Sequence, residues 1–183
     1  QREAAIALLD IGYFHNMRGE YPEALDALQA ALAIARDLND VGARAACLEY
    51  SVATYRELGK YADALAAGQE ARQIWNSRNN RTAEALTLVE MGYVYLDLGK
   101  VAATDECFQR AQEIAREIES PLVTVNVLIA FGVLHRYRDE CQSTVNTLTA
   151  AAETGQQIGY SDFLRATIHW HRGMALWSLE ETE

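Results

Sequence analysis

The chain has 183 residues, half of them hydrophobic, with only two prolines and a formal charge of −10. That length admits one domain with a substantial core or a short repeat array. The acidic balance, with no Lys/Arg stripe, argues against a nucleic-acid partner, and no run approaches the roughly 18 apolar residues that a membrane span needs.

In chain order, a first helix is expected from about Ala4 to Arg18, where Ile6, Leu9, Tyr13 and Met17 recur at helical spacing. Gly19 stops it, as glycine does just past a helix C-terminus. A second helix begins at Pro22, in the first turn where a missing N–H costs nothing. It runs to about Leu38 on Leu25, Leu28, Ala31, Leu32 and Ala35. The pattern then returns forty residues on. Gly19, Gly59 and Gly99 share a column whose fourth member is Asp139, and Ala31, Ala71, Ala111 and Ala151 fill another. Ile34, Ile74 and Ile114 form a third, Tyr21 and Tyr61 a fourth, and Gly12, Gly92 and Gly132 a fifth, with Val52 in the second unit. Units join at Asn39-Asp40, Asn79-Asn80 and Glu119-Ser120, and Asp40, Asn80 and Ser120 are good N-caps. Helices are therefore expected near 3–18, 21–38, 41–58, 61–77, 81–98, 101–118, 121–137, 140–157 and 162–179. They make four hairpins (1–40, 41–80, 81–120, 121–160) and a lone helix in 161–183, either a cap or the first half of a fifth unit. The chain opens inside a helix without a start methionine, and part of a longer protein is expected.

The strings Arg18-Gly19-Glu20-Tyr21-Pro22-Glu23-Ala24-Leu25 and Leu58-Gly59-Lys60-Tyr61-Ala62-Asp63-Ala64-Leu65 resemble the turn and second-helix start of tetratricopeptide repeats. The glycine and alanine columns match that family's small positions. Tyr55 and Tyr95 stand in its first-helix aromatic column, where His15 and His135 replace them. The fourth unit departs most, with Asp139, Cys141 and Thr144 for the glycine, aromatic and alanine, so its turn is expected to deviate. The forty-residue spacing is similar to that of kinesin light chains and of sensor regions in bacterial signalling ATPases and transcription activators. The resemblance implies an all-α, right-handed solenoid of antiparallel hairpins, with a concave face that takes a protein or peptide.

Catalytic chemistry finds little support. His169 and His171 point about 200° apart on a helix and cannot hold one metal from one face. Cys47, Cys107 and Cys141 have neither zinc spacing nor a base in reach along the sequence, and reduced, buried thiols are expected. No phosphate loop, zincin pair or serine elbow occurs, and no cofactor is expected. The acidic end from Glu180 to Glu183 reads as solvated.

Carrying the family's groove columns across gives Leu9, Tyr13 and Asn16; Glu49, Ala53 and Arg56; Val89, Tyr93 and Leu96; Asn126, Ile129, Val133 and Arg136; and Trp170. Leu9, Val89 and Ile129 serve equally well as packing residues. Arg56 and Arg136 are expected to meet a carboxylate of the bound segment, Asn16 and Asn126 its backbone, and Tyr13, Tyr93 and Trp170 to concentrate binding energy. The family's carboxylate clamp is not matched, since Leu9 and Tyr13 replace two of its polar residues. The expected function is a non-catalytic binding scaffold in a larger cytoplasmic regulatory or signalling protein. The alternatives are self-association or intramolecular docking through the last helix, with Trp170, Met174 and Trp177, and a small-ligand sensor.

Overall fold

The computed structural model describes residues 1–180 and consists, over those residues, of nine α-helices without a strand. They are α1 (Arg2–Arg18), α2 (Tyr21–Asp37), α3 (Val41–Glu57), α4 (Tyr61–Ser77), α5 (Arg81–Asp97), α6 (Val101–Glu117), α7 (Pro121–Tyr137), α8 (Cys141–Ile158) and α9 (Asp162–Glu180). Residues 181–183 of the acidic end lie outside the described residues, and Glu180 is exposed.

Eight short turns impose the period. At Gly19, Gly59, Gly99 and Gly159, and also at Asn39, Asn79, Glu119 and Asp139, the backbone is left-handed. The amide one residue further on reaches back to close the helix, as in Asp40 N to Ala35 O at 2.9 Å and Glu140 N to His135 O at 2.9 Å. The fourth hairpin therefore keeps the turn of the others. Asp139 has φ 59°, a conformation that aspartate tolerates because its short side chain bonds locally. Of the helices that open a unit, α3, α5 and α7 carry side-chain caps: Asp40 accepts from the Ala43 amide at 3.0 Å, Asn80 from Ala83 at 3.2 Å and Ser120 from Val123 at 3.4 Å.

Glu119 is the costliest left-handed residue, being neither glycine nor Asn/Asp, at φ 48°. Glu119→Gly is expected to stabilise the chain by about 0.5–1 kcal/mol. A thermal melt followed by circular dichroism should rise by about 2–4 °C per kcal/mol; an unchanged or lowered midpoint would contradict the strain argument.

Each hairpin packs on the next, and the odd-numbered helices also touch along the array, α1 with α3, α3 with α5, α5 with α7 and α7 with α9. Among the described residues the backbones of the even-numbered helices do not approach one another in this way. One side of the stack is thus shorter than the other, which makes the odd-numbered side concave. The core is continuous through Leu48, Val52, Trp75, Leu88, Phe108, Ile114, Val123 and Leu134, with the alanine column wholly buried at Ala31, Ala71, Ala111 and Ala151. Those small residues let helices approach to the short end of about 8–10 Å.

Candidate functional site

The concave face is built where neighbouring odd helices exchange side chains. Between α1 and α3, Tyr13 sets its ring edge-on to Tyr50 at 5.7 Å, and Asn16 Nδ2 donates to Thr54 Oγ1 at 2.8 Å. Between α3 and α5, Arg56 lies over the Tyr93 ring, 5.3 Å from its centroid, and its Nε is 3.5 Å from Asp97. Between α7 and α9, Arg136 Nε donates to His171 Nδ1 at 3.2 Å. Tyr13, Asn16, Arg56, Tyr93 and Arg136 thus all take part in contacts across the inner seam.

The other expected groove residues divide. Glu49 is half-buried and accepts from Trp75 Nε1 at 2.8 Å. Asn126 turns to its own helix, donating to Leu122 O at 2.9 Å. Leu96 is buried in the core with Leu88, Phe108 and Leu134, so it packs hairpins together and offers no groove surface. Val89 and Ile129 are likewise buried against the second helices of their hairpins. Trp170 stands at the far end of the array and is exposed. Counting along α7 and α9 puts it in the register of Ile129, a packing position.

The electrostatics of the α3–α5 seam overturn one expectation. Arg56 is not free to meet a partner's carboxylate, because it donates to Glu57 at 2.5 Å and faces Asp97. Burial works against its charge, but the Glu57 bond and the fields of Glu90, Glu57 and Asp97 together hold its pKa above the usual value. It is an internal counter-ion in an acidic setting. Glu90 makes no hydrogen bond with any described residue; burial raises its pKa, partly offset by Arg56 and reinforced by Glu57. Burial also pushes Glu49 up to about 7, against the Trp75 hydrogen bond and with the help of Glu90. Tyr93 is shifted upward by burial and by Glu90. The seam therefore gathers Glu57, Glu90 and Asp97 around Arg56, with Glu49 in the field of Glu90. A pattern reading could not find this, because Glu90 lies one residue off the groove columns.

Other candidate groups are occupied structurally. His15 and His135 close their own hairpins through Glu20 at 2.6 Å and Glu140 at 2.5 Å. Burial pushes the thiols of Cys47 and Cys107 up to about 11, opposite to the shift that activates a nucleophile. His169 is exposed, while burial and then Arg136 lower the pKa of His171. A cleft of about 390 Å³ beside α1, lined by Ile6, Leu9, Ala46, Cys47 and Trp75, shares Trp75 with the Glu49 site.

A stack of antiparallel hairpins with an inner seam of this kind defines an α-solenoid repeat protein. The family model for the tetratricopeptide repeat matches residues 3–77, so the first two hairpins are tetratricopeptide repeats. Two crystal structures of nearly identical TPR-like repeats, assigned to a kinesin light chain of Podosopora anserina, have the same fold. The first is 13% identical with a TM-score of 0.67, covering 99% of this chain and 89% of that one. The second carries the Q17M change and is 15% identical with a TM-score of 0.64, covering 96% and 91%. No curated protein matches the chain in sequence. A repeat scaffold of this family serves protein interaction in general, and no helix among the described residues is long and apolar enough to cross a membrane.

Proposed function

We propose that the chain is a non-catalytic scaffold whose concave face holds a segment of a partner protein, anchored by a cationic side chain at the α3–α5 seam. The observation that carries this is Glu90, a partly buried carboxylate without a hydrogen-bond partner among the described residues, close enough to Arg56 for their fields to interact. A lysine or arginine from a bound segment would supply the missing partner and lower the cost of the enclosed charge. Tyr93 and Tyr50 add aromatic faces for the same cation. We place the scaffold within a larger cytoplasmic regulatory or signalling protein, in keeping with three free cysteines.

Selection of peptides from a random display library on the wild-type chain tests the reading. Enrichment of lysine and arginine is expected, with the selected peptides bound about tenfold more weakly by Glu90→Gln and increasingly weakly as salt is raised. Acidic peptides, or indifference to Glu90→Gln at unchanged helicity, would sink it.

A second reading is favoured by a separate observation. α9 leaves Phe163, Trp170, Met174 and Trp177 uncovered, which suits self-association or docking onto another part of the parent protein.

A further inference from the structure

Arg56 and Arg136 hold the same place in the repeat, two units apart, with Leu96 between them. Their surroundings are opposite. Around Arg56, Glu57 follows on α3, and Glu90 and Asp97 come from α5, the first helix of the next unit. The repeat tells which residues stand in those places around Arg136. Glu57 becomes Tyr137. Because α8 has 18 residues where the preceding helices have 17, α9 runs one residue late, so Glu90 corresponds to His171 and Asp97 to Ser178.

The contacts agree with that correspondence. Arg136 reaches across the α7–α9 seam to His171, Nε to Nδ1 at 3.2 Å, as Arg56 meets α5 across its own seam. Nδ1 accepts this bond, so the ring is neutral and supplies no countercharge. Carboxylates near in sequence or space are engaged elsewhere: Glu140 pairs with His135, and Asp105 of α6 with Arg138. Arg136 is exposed and has no carboxylate partner among the described residues, in a chain of formal charge −10. Each carboxylate that surrounds the earlier arginine has its counterpart on α7 or α9, so the imbalance is built into these two helices themselves.

We propose that Arg136 is a second anchor on the inner seam, taking an aspartate or glutamate of the same bound segment whose cation sits between α3 and α5. This rests on the α3–α5 reading and adds to it a second charge and a distance. Arginine presents a fork of donors that matches a carboxylate. His171 holds only its Nε, and no described residue bonds its terminal nitrogens. The two seams lie two helix-to-helix steps apart, roughly 16–20 Å at the usual packing distance. An extended segment covers that in about five or six residues. The segment therefore carries a lysine or arginine at one seam and, that far along, a carboxylate at the other.

Selection from a random peptide display library at low salt reads both anchors at once. On the wild-type chain a basic and an acidic residue should be enriched together, about five or six positions apart. Arg136→Gln should remove the acidic enrichment and leave the basic one. His171→Glu, which places a carboxylate where α5 has Glu90, should do the same with the cation still present. Circular dichroism of both variants should match the wild type, since neither side chain belongs to the buried core. A selected peptide whose acidic residue is changed to its amide should bind the wild type about tenfold more weakly, and Arg136→Gln as well as its parent does. Basic enrichment with no acidic residue at a fixed distance, or acidic enrichment that survives both substitutions, would overturn the second anchor and leave the α3–α5 reading standing. Absence of basic enrichment on the wild type would overturn that reading and the two-anchor segment with it.

Discussion

Gly92→Val is expected to destabilise the array by about 2–4 kcal/mol and Phe108→Ala by about 3–5 kcal/mol, while the double variant loses far less than the two together. Phe108 is fully buried, edge-on to Tyr93 at 5.5 Å and to Phe131 at 5.8 Å. Its removal leaves a cavity at the centre of the main core cluster, between the second and fourth hairpins. At Gly92 the obstacle is the reverse, because any side chain there enters the Phe108 ring. Helix propensity would by itself slightly favour valine over glycine, so a net loss measures the collision. In the double variant the valine side chain occupies part of the space that the ring vacates; one repeat earlier Val52 and Gly68 hold the same two positions, with Met91 of α5 filling the space at Gly68. Urea unfolding of the four proteins gives the coupling; residues in contact should show about 0.5–3 kcal/mol of non-additivity. Strict additivity would mean that the two positions do not share one space.

The second large effect is a dependence on pH centred on Glu49. Its carboxyl is raised from the ordinary 4.5 to about 7, by burial first and by Glu90 in addition, against the Trp75 hydrogen bond. A carboxyl raised in the folded state holds its proton where the unfolded chain has released it. The folded state then binds more protons, and stability falls as pH rises from about 4.5 through about 7. The full displacement corresponds to about 3 kcal/mol, and water at this half-buried side chain reduces that to about 1–2 kcal/mol. Glu49→Gln should flatten this part of the profile and exceed the wild type in stability at pH 8, measured by denaturant unfolding along a pH series. A wild-type profile already flat between pH 5 and 8 would place the Glu49 carboxyl in ordinary solvent.

These two sites show how differently the chain discloses its fold and its surface. The helix pattern could be read because each boundary is set locally: Gly19, Gly59 and Gly99 take left-handed conformations that other residues resist, and Asp40, Asn80 and Ser120 cap the next helix. The helices of the structure begin and end within a residue or two of those expected, and even the doubtful turn at Asp139 closes like its neighbours. The inner seam was only partly legible. Family columns led to Arg56 and Tyr93, which do meet across α3 and α5. They did not show that Glu57 and Asp97 already occupy Arg56, since those contacts depend on how one repeat lies on the next. Leu96 was misplaced for a similar reason: a position that faces the groove in one repeat turns into the core in another. Trp170 moved to a different face because one additional residue in α8 shifts the register of α9. The ties of Trp75 to Glu49 and of Glu84 to Arg81 and Asn76 likewise join helices through side chains whose spacing carries no signature.

The turns that set the period have a mechanical consequence. Contacts along the odd-numbered side form a continuous inner seam, while among the described residues the even-numbered backbones do not approach one another in this way. Such a body behaves as a leaf spring with a stiff inner edge. Pulling its ends apart stretches the Tyr13–Tyr50, Arg56–Tyr93 and Arg136–His171 contacts, whereas closing it compresses the same packed edge. Curvature is therefore set by the inner edge in both directions, and a segment lying along the seam would stiffen that edge further.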